Sequence, residues 1–159
     1  MLFSYVHSKA QGDLNTFSTY INDFPFVPVR AGCYCNTQAD IPNRFLAWGI
    51  LNMPWKMHVT PMFEFHTGQP YAMLQANRDY MGTPYSDRTR FRNYVNLDQR
   101  LSKDVTVKKK YTARISMSVL NILNHFNPLD VHANMADPLR GTFFGHYKRR
   151  YRADFELLF

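Results

Sequence analysis

Residues 150–159, RYRADFELLF, alternate between polar and apolar side chains and end on an aromatic residue. The apolar side chains belong to Tyr151, Ala153, Phe155, Leu157 and Phe159, and the polar ones belong to Arg150, Arg152, Asp154 and Glu156. Because successive side chains of a β-strand point to opposite faces, a period of two predicts a strand. This strand has one apolar face and one polar face.

Five other segments of the chain show a similar alternation, and we predict them as strands. They are Leu2 to Lys9, Asn43 to Met53, Met57 to Thr67, Asn93 to Asp104 and Lys110 to Asn121, and the last strand is predicted over Phe143 to Phe159. Pro61 is an exception within the third strand, because it has no N–H to donate to a neighbouring strand.

The connections between the six predicted strands alternate in length. The first, third and fifth have about thirty, twenty-five and twenty residues, whereas the others are tight turns around Pro54 and over Val105 to Lys108. Soluble β domains rarely need such loops at every second connection, but outer-membrane barrels have short turns on one rim and long loops on the other. The sequence therefore predicts an all-β fold, an antiparallel up-and-down meander of about six strands that is a segment of a larger transmembrane β-barrel.

Composition narrows the class of protein. The chain has 159 residues, of which 16% are aromatic and 19% charged, and its mean hydropathy is −0.39. It is too aromatic for a disordered tail, and it lacks the apolar run of roughly 20 residues that a spanning helix needs. Its length fits one structural unit, residues 1–159.

The net charge of +7 makes nucleic-acid binding a candidate function. The positive charge is spread along the chain, and its two clusters, Lys108 to Lys110 and Lys148 to Arg152, lie in different segments with no nucleic-acid-binding motif. We therefore expect no nucleic-acid partner. The sequence also contains no nucleophile motif or glycine-rich phosphate loop, so we predict that the chain is not an enzyme and binds no cofactor.

Six histidines and two cysteines are the candidate metal ligands. On an extended strand His58 and His66 lie about 26 Å apart, so they cannot share one ion. Cys33 and Cys35 would need more ligands nearby, and we interpret them as loop cysteines that form a disulfide if the chain is exported. We predict no metal site.

Aromatic residues are frequent in the three long connections. They include Tyr20, Phe24, Phe26, Tyr34, Tyr71, Tyr80 and Tyr85. Such side chains supply contact area for a ligand at the cell surface, or they pack the connections against one another. The sequence leaves both interpretations open and does not name a ligand.

Several longer stretches resemble a known family. In chain order they are RFLAWGILNMPW (44–55), HTGQPY (66–71), NLDQRLSKDV (96–105), SVLNILNHFNPLDVH (118–132) and FFGHYKRRYRADFELLF (143–159). Their order and spacing are similar to the C-terminal barrel region of TonB-dependent transporters. The resemblance extends over nearly the whole chain and is greatest to the Oar-like branch, whose receptors carry a carboxypeptidase-regulatory-like domain before the plug.

The resemblance implies a barrel of about 22 strands with an N-terminal plug, which imports a bulky ligand across the outer membrane. The chain has no plug and too few strands to close such a barrel, so we expect it to be the C-terminal part of one and inactive alone. The expected partners are outer-membrane lipid and lipopolysaccharide, the barrel-assembly machinery, the imported ligand, and the TonB complex through the missing N-terminal region.

Two other classes of protein stay open. One is a soluble β-rich binding module, whose strands show the same alternation with the apolar face turned into a core. The other is a small structural outer-membrane protein, which needs about eight strands. A purified chain that stays soluble in buffer without detergent would indicate the soluble module.

The predicted site residues within the barrel form a lumenal charge ladder. The ladder consists of Arg114, Asp98, Arg100, Asp154 and Glu156. Arg114 is expected to bridge to the carboxylates of neighbouring strands, with Arg100 as a competitor for them. Arg149 has the opposite parity, and we expect it at the extracellular rim in contact with a lipopolysaccharide phosphate.

The assembly signal is predicted to consist of Phe159 together with Phe155 and Leu157, on the lipid side of the last strand. In the family that this chain resembles, a terminal aromatic residue is recognised by the barrel-assembly machinery. Deletion of Phe159 from a full-length parent is therefore expected to lower the amount of folded protein in the outer membrane, measured by heat-modifiable mobility on gels. An unchanged amount would exclude this role.

Overall fold

The strands of the chain form one large sheet and two small two-stranded sheets. The computed structural model describes residues 1–13, 33–77, 80–107 and 111–158, and all regular structure in these ranges is β. In chain order the strands are β1 (Leu2–His7), β2 (Gln11–Gly12), β3 (Cys35–Asn36), β4 (Asn43–Trp48), β5 (Leu51–Met53), β6 (Met57–His66), β7 (Tyr94–Val107), β8 (Tyr111–Leu120), β9 (Asp130–Val131), β10 (Phe143–Phe144) and β11 (Arg150–Leu158). No helix in the described ranges is long and apolar enough to cross a membrane.

The large sheet is an antiparallel meander. Its strand order is β1-β4-β6-β7-β8-β11, and β5 also pairs with β6, which makes seven strands. Each long strand lies beside the next long strand of the chain, so the predicted all-β, up-and-down fold is confirmed. Within the described residues β1 and β11 are the outer strands, and the sheet is not closed.

The turn between β7 and β8 differs from the prediction. β7 continues to Val107, which pairs with Tyr111, so the predicted turn over Val105 to Lys108 is wrong. Val105, Thr106 and Val107 are all β-branched, and such residues favour extended backbone over a turn. The pairing of β7 with β8 is therefore longer than the sequence suggests.

The last predicted strand, Phe143 to Phe159, divides into two. Phe143 and Phe144 form β10, which pairs with β9, and the long strand β11 begins only at Arg150. Gly145 follows β10 with a φ of 66°, a left-handed conformation that ends the first piece.

Pro61 lies in the interior of the large sheet, where it has no N–H to donate. β6 pairs with β4 as far as Met62 and pairs with β5 again at Val59. The register is the same on both sides of the gap, so Gly49 lies opposite Pro61. The ladder is thus interrupted where the proline lacks its donor, and this explains how the strand tolerates Pro61.

The register places the side chains of the large sheet on two faces of opposite character. The apolar face carries Phe3, Phe45, Phe63, Val95, Leu101, Val105, Ile115, Met117, Phe155 and Leu157, and also the polar residues Gln99 and Lys103. The polar face carries His58, Glu64, Asn96, Asp98, Arg100, Asp104, Arg114, Ser116, Asp154 and Glu156, and also the apolar residues Leu46, Trp48 and Met62. On the apolar face Ile115 is 56% exposed and Phe155 is 64% exposed, whereas Ser116 on the polar face is 2% exposed. The apolar side of the sheet is the more open one.

The long and short connections lie at opposite ends of the large sheet. β5 and β6 are joined by a tight turn in which Trp55 has a φ of 61°. The long connections leave the other end and contain paired elements of their own, namely β2 with β3, Pro70 with Arg90, and β9 with β10. A parallel bridge from Leu74 to Asn134 joins the second long connection to the third. The long connections are therefore built as a common structure.

Gly68 begins the second long connection and lies against its returning arm. A Cβ on Gly68 would lie 1.7 Å from the carbonyl oxygen of Phe91. Gly68→Ala is therefore expected to separate the two arms and to lower the free energy of unfolding by about 1 to 3 kcal/mol, measured by chemical denaturation in detergent micelles. Gly12→Ala is the matched control, because its Cβ would meet only the Thr37 methyl group at 3.5 Å. An equal loss in both variants would contradict the prediction.

Candidate functional site

Ion pairs join neighbouring strands across the polar face. Arg114 on β8 donates to Asp104 on β7 at 2.6 and 2.9 Å, and His58 Nε2 on β6 lies 3.5 Å from the same carboxylate. Arg100 on β7 extends across β8 and donates to Glu156 on β11 at 2.8 Å. These contacts connect four adjacent strands, so they favour the observed register over a shifted one.

The predicted hydrogen-bond partners of Arg114 are wrong, although one of them, Glu156, lies directly opposite Arg114 on β11. The sequence predicts Asp98, Asp154 and Glu156 as these partners. The structure shows that Arg114 pairs with Asp104, the residue directly opposite on β7. A turn over Val105 to Lys108 would place Arg114 opposite Gln99 instead, so the misplaced turn hides Asp104. The competitor that the sequence identifies, Arg100, is the residue that pairs with Glu156.

The other two carboxylates of the predicted ladder have local partners. Asp98 accepts a hydrogen bond from the backbone N–H of Asn121 at 2.7 Å. Asp154 accepts one from Arg152 Nε at 2.7 Å, within the same strand. All five predicted residues share the polar face, but they form separate contacts and do not make one continuous ladder.

The residues predicted to face lipid lie on or beside β11. Phe155 and Leu157 are exposed on the apolar face. Arg149 directly precedes β11, is exposed, and donates from its guanidinium to the carbonyl oxygen of Ile122. Phe159 lies outside the described residues.

A cavity of about 390 Å³ lies where the polar face meets the long connections. Its sheet residues are His66, Tyr94, Asn96, Asp98, Leu120 and Arg150. Its wall from the second and third long connections includes Phe91, Arg92, Asn127, Tyr147 and Lys148. The cavity thus brings together parts of the chain that are far apart in sequence, and sequence reasoning did not identify it.

His66 and Tyr94 lie opposite each other on β6 and β7 and form a stacked pair in the cavity lining. Their rings stack with centroids 4.6 Å apart and planes inclined by 4°. His66 Nδ1 lies 2.9 Å from the carbonyl oxygen of Thr67, and since that oxygen can only accept, Nδ1 carries the proton. This hydrogen bond fixes the orientation of the imidazole ring.

Two buried asparagines attach the third long connection to the end of the sheet. Asn127 accepts from the N–H of Val95 at 3.0 Å and donates to the carbonyl oxygen of Val95 at 2.9 Å. Asn121 donates to the carbonyl oxygen of Tyr147 at 2.9 Å and has a φ of 52°, a left-handed conformation that asparagine tolerates. Buried hydrogen bonds therefore hold the wall of the cavity in place.

Asp40, Arg90 and Asp87 join the first long connection to the second. Asp40 is 1% exposed and accepts hydrogen bonds from the N–H of Ala10 at 2.7 Å and from the Arg90 guanidinium. Arg90 also donates to the carbonyl oxygen of Gly68 and to Asp87, each at 3.1 Å. The hydrogen bond from Arg90 holds the pKa of Asp87 below its usual value. No local sequence signal predicts the pairing of Asp40 with Arg90, because 50 residues separate them.

The aromatic residues of the long connections serve mainly to pack these connections together. Tyr71, Phe91 and Phe143 form a cluster with ring centroids between 5.3 and 5.9 Å apart, and Tyr85 is buried. Tyr34, by contrast, is exposed and accessible to a ligand. The other predicted contact residues, Tyr20, Phe24 and Phe26, lie outside the described residues.

The described residues hold no group of three or more His, Cys, Asp or Glu side chains that is placed to share a metal ion. His125 contacts the side-chain oxygen of Asn127 at 2.9 Å, and His132 contacts Asp137 at 2.7 Å. Leu139 N–H and His132 hold the pKa of Asp137 below its usual value. Cys33 and Cys35 form a disulfide.

The cavity combines stacked rings, amide side chains and charges, a lining suited to binding a small polar ligand. No protein-family model, curated protein or solved structure matches the chain. The faces of the sheet and the lining of the cavity are therefore the basis for proposing a function.

Asp40→Asn is expected to loosen the first long connection from the second. The substitution removes the negative charge beside the Arg90 guanidinium in a buried site, which is expected to cost about 2 to 3 kcal/mol of unfolding free energy. Limited proteolysis is expected to cut the first connection sooner, and denaturation measures the loss of stability. Asp13→Asn, at an exposed position of the same connection, is the control. Equal protease sensitivity of the two variants would show that the ion cluster does not hold these connections.

Proposed function

We propose that the chain supplies membrane-spanning strands to an outer-membrane β-barrel of the TonB-dependent class, which imports a bulky ligand. The observation that carries this proposal is the exposed apolar face of the large sheet, opposite a polar face with buried members such as Ser116. A water-soluble sheet has the reverse arrangement, with its apolar face in a core. A barrel wall, with lipid outside and a polar lumen inside, fits both faces.

The exposed apolar residues of neighbouring strands lie side by side, and Lys103 and Gln99 are the polar members of this face on β7. Leu101 lies opposite Met117, and Ile115 lies opposite Phe155, so neighbouring strands add to the same patch. Extended apolar patches on a protein surface indicate contact with a membrane or with another protein. A bilayer is the partner that covers such a patch evenly across many strands.

The dimensions of the sheet support a lipid environment. β6 and β8 have 10 residues each, close to the about 9 to 11 that a tilted membrane strand needs. Tyr111 and the exposed Trp55 lie at the short-turn end, and Tyr151 lies at the end with the long connections. Amphipathic rings at both ends are typical of strands that cross a bilayer, because these rings favour the membrane interfaces.

The two outer strands support an assignment to part of a larger barrel. Within the described residues β1 pairs only with β4, and β11 pairs only with β8. In lipid each unpaired backbone group costs several kcal/mol, so both edges require further strands. We therefore propose that the chain does not transport a ligand on its own.

The partners come from the resemblance to TonB-dependent transporters and are proposals of the same kind. Phe155, Leu157 and Phe159 would contact the barrel-assembly machinery, and the TonB complex would act through an upstream region. Arg149 would contact a lipopolysaccharide phosphate. Its neighbours Lys148 and Arg150 line the cavity whereas Arg149 does not, which supports an outward position for Arg149.

A soluble β-rich binding module is the second candidate function. The cavity and the buried hydrogen bonds of the long connections favour it, since neither requires a membrane. In a soluble module another protein would have to cover the apolar face. The two candidates therefore differ in whether this face enters lipid.

Met117→Lys is expected to weaken partition of the chain into phospholipid vesicles, because Met117 lies between Leu101 and Ala153 on the apolar face. A lysine near the bilayer midplane costs about 2 to 4 kcal/mol, which corresponds to about a 30- to 1,000-fold lower partition coefficient. Flotation of the chain with vesicles on a density gradient measures this coefficient.

Leu139→Lys is the matched control for this experiment. Met117 is 54% exposed and Leu139 is 56% exposed, but Leu139 lies in the third long connection, outside the proposed apolar band. Its substitution is expected to leave partition within about twofold, since a loop outside the hydrocarbon region tolerates charge. Equal losses in both variants, or a wild-type chain that stays in buffer, would contradict the membrane proposal.

A further inference from the structure

Three cations line the cavity without a carboxylate partner in the described part of the chain. They are Arg92, Lys148 and Arg150. Three other arginines of the large sheet are different, because Arg44, Arg100 and Arg114 each pair with a carboxylate at 2.6 to 2.8 Å. Of these cations, those that line the cavity are the ones without a carboxylate partner among the described residues.

The lining contains one acidic side chain, Asp98, which is engaged by the N–H of Asn121 at 2.7 Å. Three cations against one carboxylate leave the lining with an excess of positive charge. Charge-assisted hydrogen bonds from guanidinium groups to carboxylate or phosphate are among the strong polar contacts in proteins. The excess therefore favours an oxyanion.

The remaining lining favours a molecule with an aromatic ring. His66 and Tyr94 stack at 4.6 Å, and the Arg150 guanidinium carbon lies 4.9 Å from the ring centroid of Tyr147. Because the His66 and Tyr94 rings cover each other's inner faces, their edges and outer faces, together with Phe91, remain for contact with the ring of a ligand. The volume of about 390 Å³ limits the ligand to a small molecule or to one end of a larger one.

We infer that this cavity binds a small organic oxyanion, in which a carboxylate or phosphate group is attached to a planar ring. Arg92, Lys148 and Arg150 contact the anionic group, and the stacked rings contact the planar part. The role of this site in import rests on the proposed function, but binding itself does not.

Salicylate is a suitable probe, because it carries a carboxylate on a planar ring, and salicylamide is the matched neutral molecule. Isothermal titration calorimetry of the 159-residue chain, refolded in micelles of a non-ionic detergent, is expected to give at least tenfold tighter binding of salicylate than of salicylamide. Inorganic phosphate is expected to compete with salicylate. Anionic phospholipid added to the micelles is not expected to compete, because the cavity opens on the polar face.

The double variant Arg92→Gln/Arg150→Gln is expected to weaken salicylate binding at least tenfold. The control Arg88→Gln/Arg140→Gln removes the same charge from exposed positions of the long connections and is expected to stay within twofold. Equal weakening in both double variants would show a general charge effect and overturn the assignment. The inference is also overturned if the wild-type chain binds salicylate no better than salicylamide, a result that does not depend on the folding of any variant.

Vesicle flotation of the same preparation separates this inference from the membrane proposal. A chain that enters vesicles but does not discriminate salicylate from salicylamide overturns the oxyanion site alone. A chain that discriminates the two probes but stays in buffer supports the site and overturns the membrane role. Competition by anionic phospholipid at the same affinity as salicylate would assign the site to a lipid headgroup and overturn the small-molecule assignment.

Discussion

The register between β7 and β8 is the constraint on which the rest of the structure depends. It places Asp104 opposite Arg114 on the polar face and Leu101 opposite Met117 on the apolar face. Because side chains alternate with a period of two, a shift by one residue would move every apolar group of one strand to the polar side. Charged pairs in partly exposed positions contribute little energy, so their main effect is to disfavour such a shift.

The position of the cavity follows from this register and from the direction of the connections. In a meander every second connection returns at the same end of the sheet, so the three long connections meet there. The buried Asp40 joins the first long connection to the second through a charge-assisted hydrogen bond from Arg90. The buried Asn127 joins the third long connection to β7 through hydrogen bonds with the backbone of Val95. Loops that are fixed in this way can hold a shaped cavity, which mobile loops of the same length do not.

The sequence predicted the strands, their faces and the alternation of connections, because these features are set by local periodicity. It failed where the answer depends on pairing between distant residues. The partner of Arg114 was missed because three β-branched residues, Val105 to Val107, continue the strand through the predicted turn. The presence of Pro61 within a strand is explained only by the structure, which shows that strand pairing is interrupted opposite it, at Gly49. The contact of Asp40 with Arg90 could not be predicted from local sequence, because tertiary packing decides which of the acidic residues becomes buried.

The distribution of charge gives the basic character of the chain a more specific meaning. A net charge of +7 by itself is equally compatible with nucleic acid, membrane or small-anion partners. Arg44, Arg100 and Arg114 on the strands are paired with carboxylates, which lowers the net positive charge over most of the polar face. At the cavity Arg92 and Arg150 lack such carboxylates within the described residues. A concave surface of one sign, bounded by protein of low dielectric constant, concentrates its field on what enters it. The polar face is therefore electrostatically uneven, and its positive region coincides with the part of the sheet where the long connections leave room for a ligand.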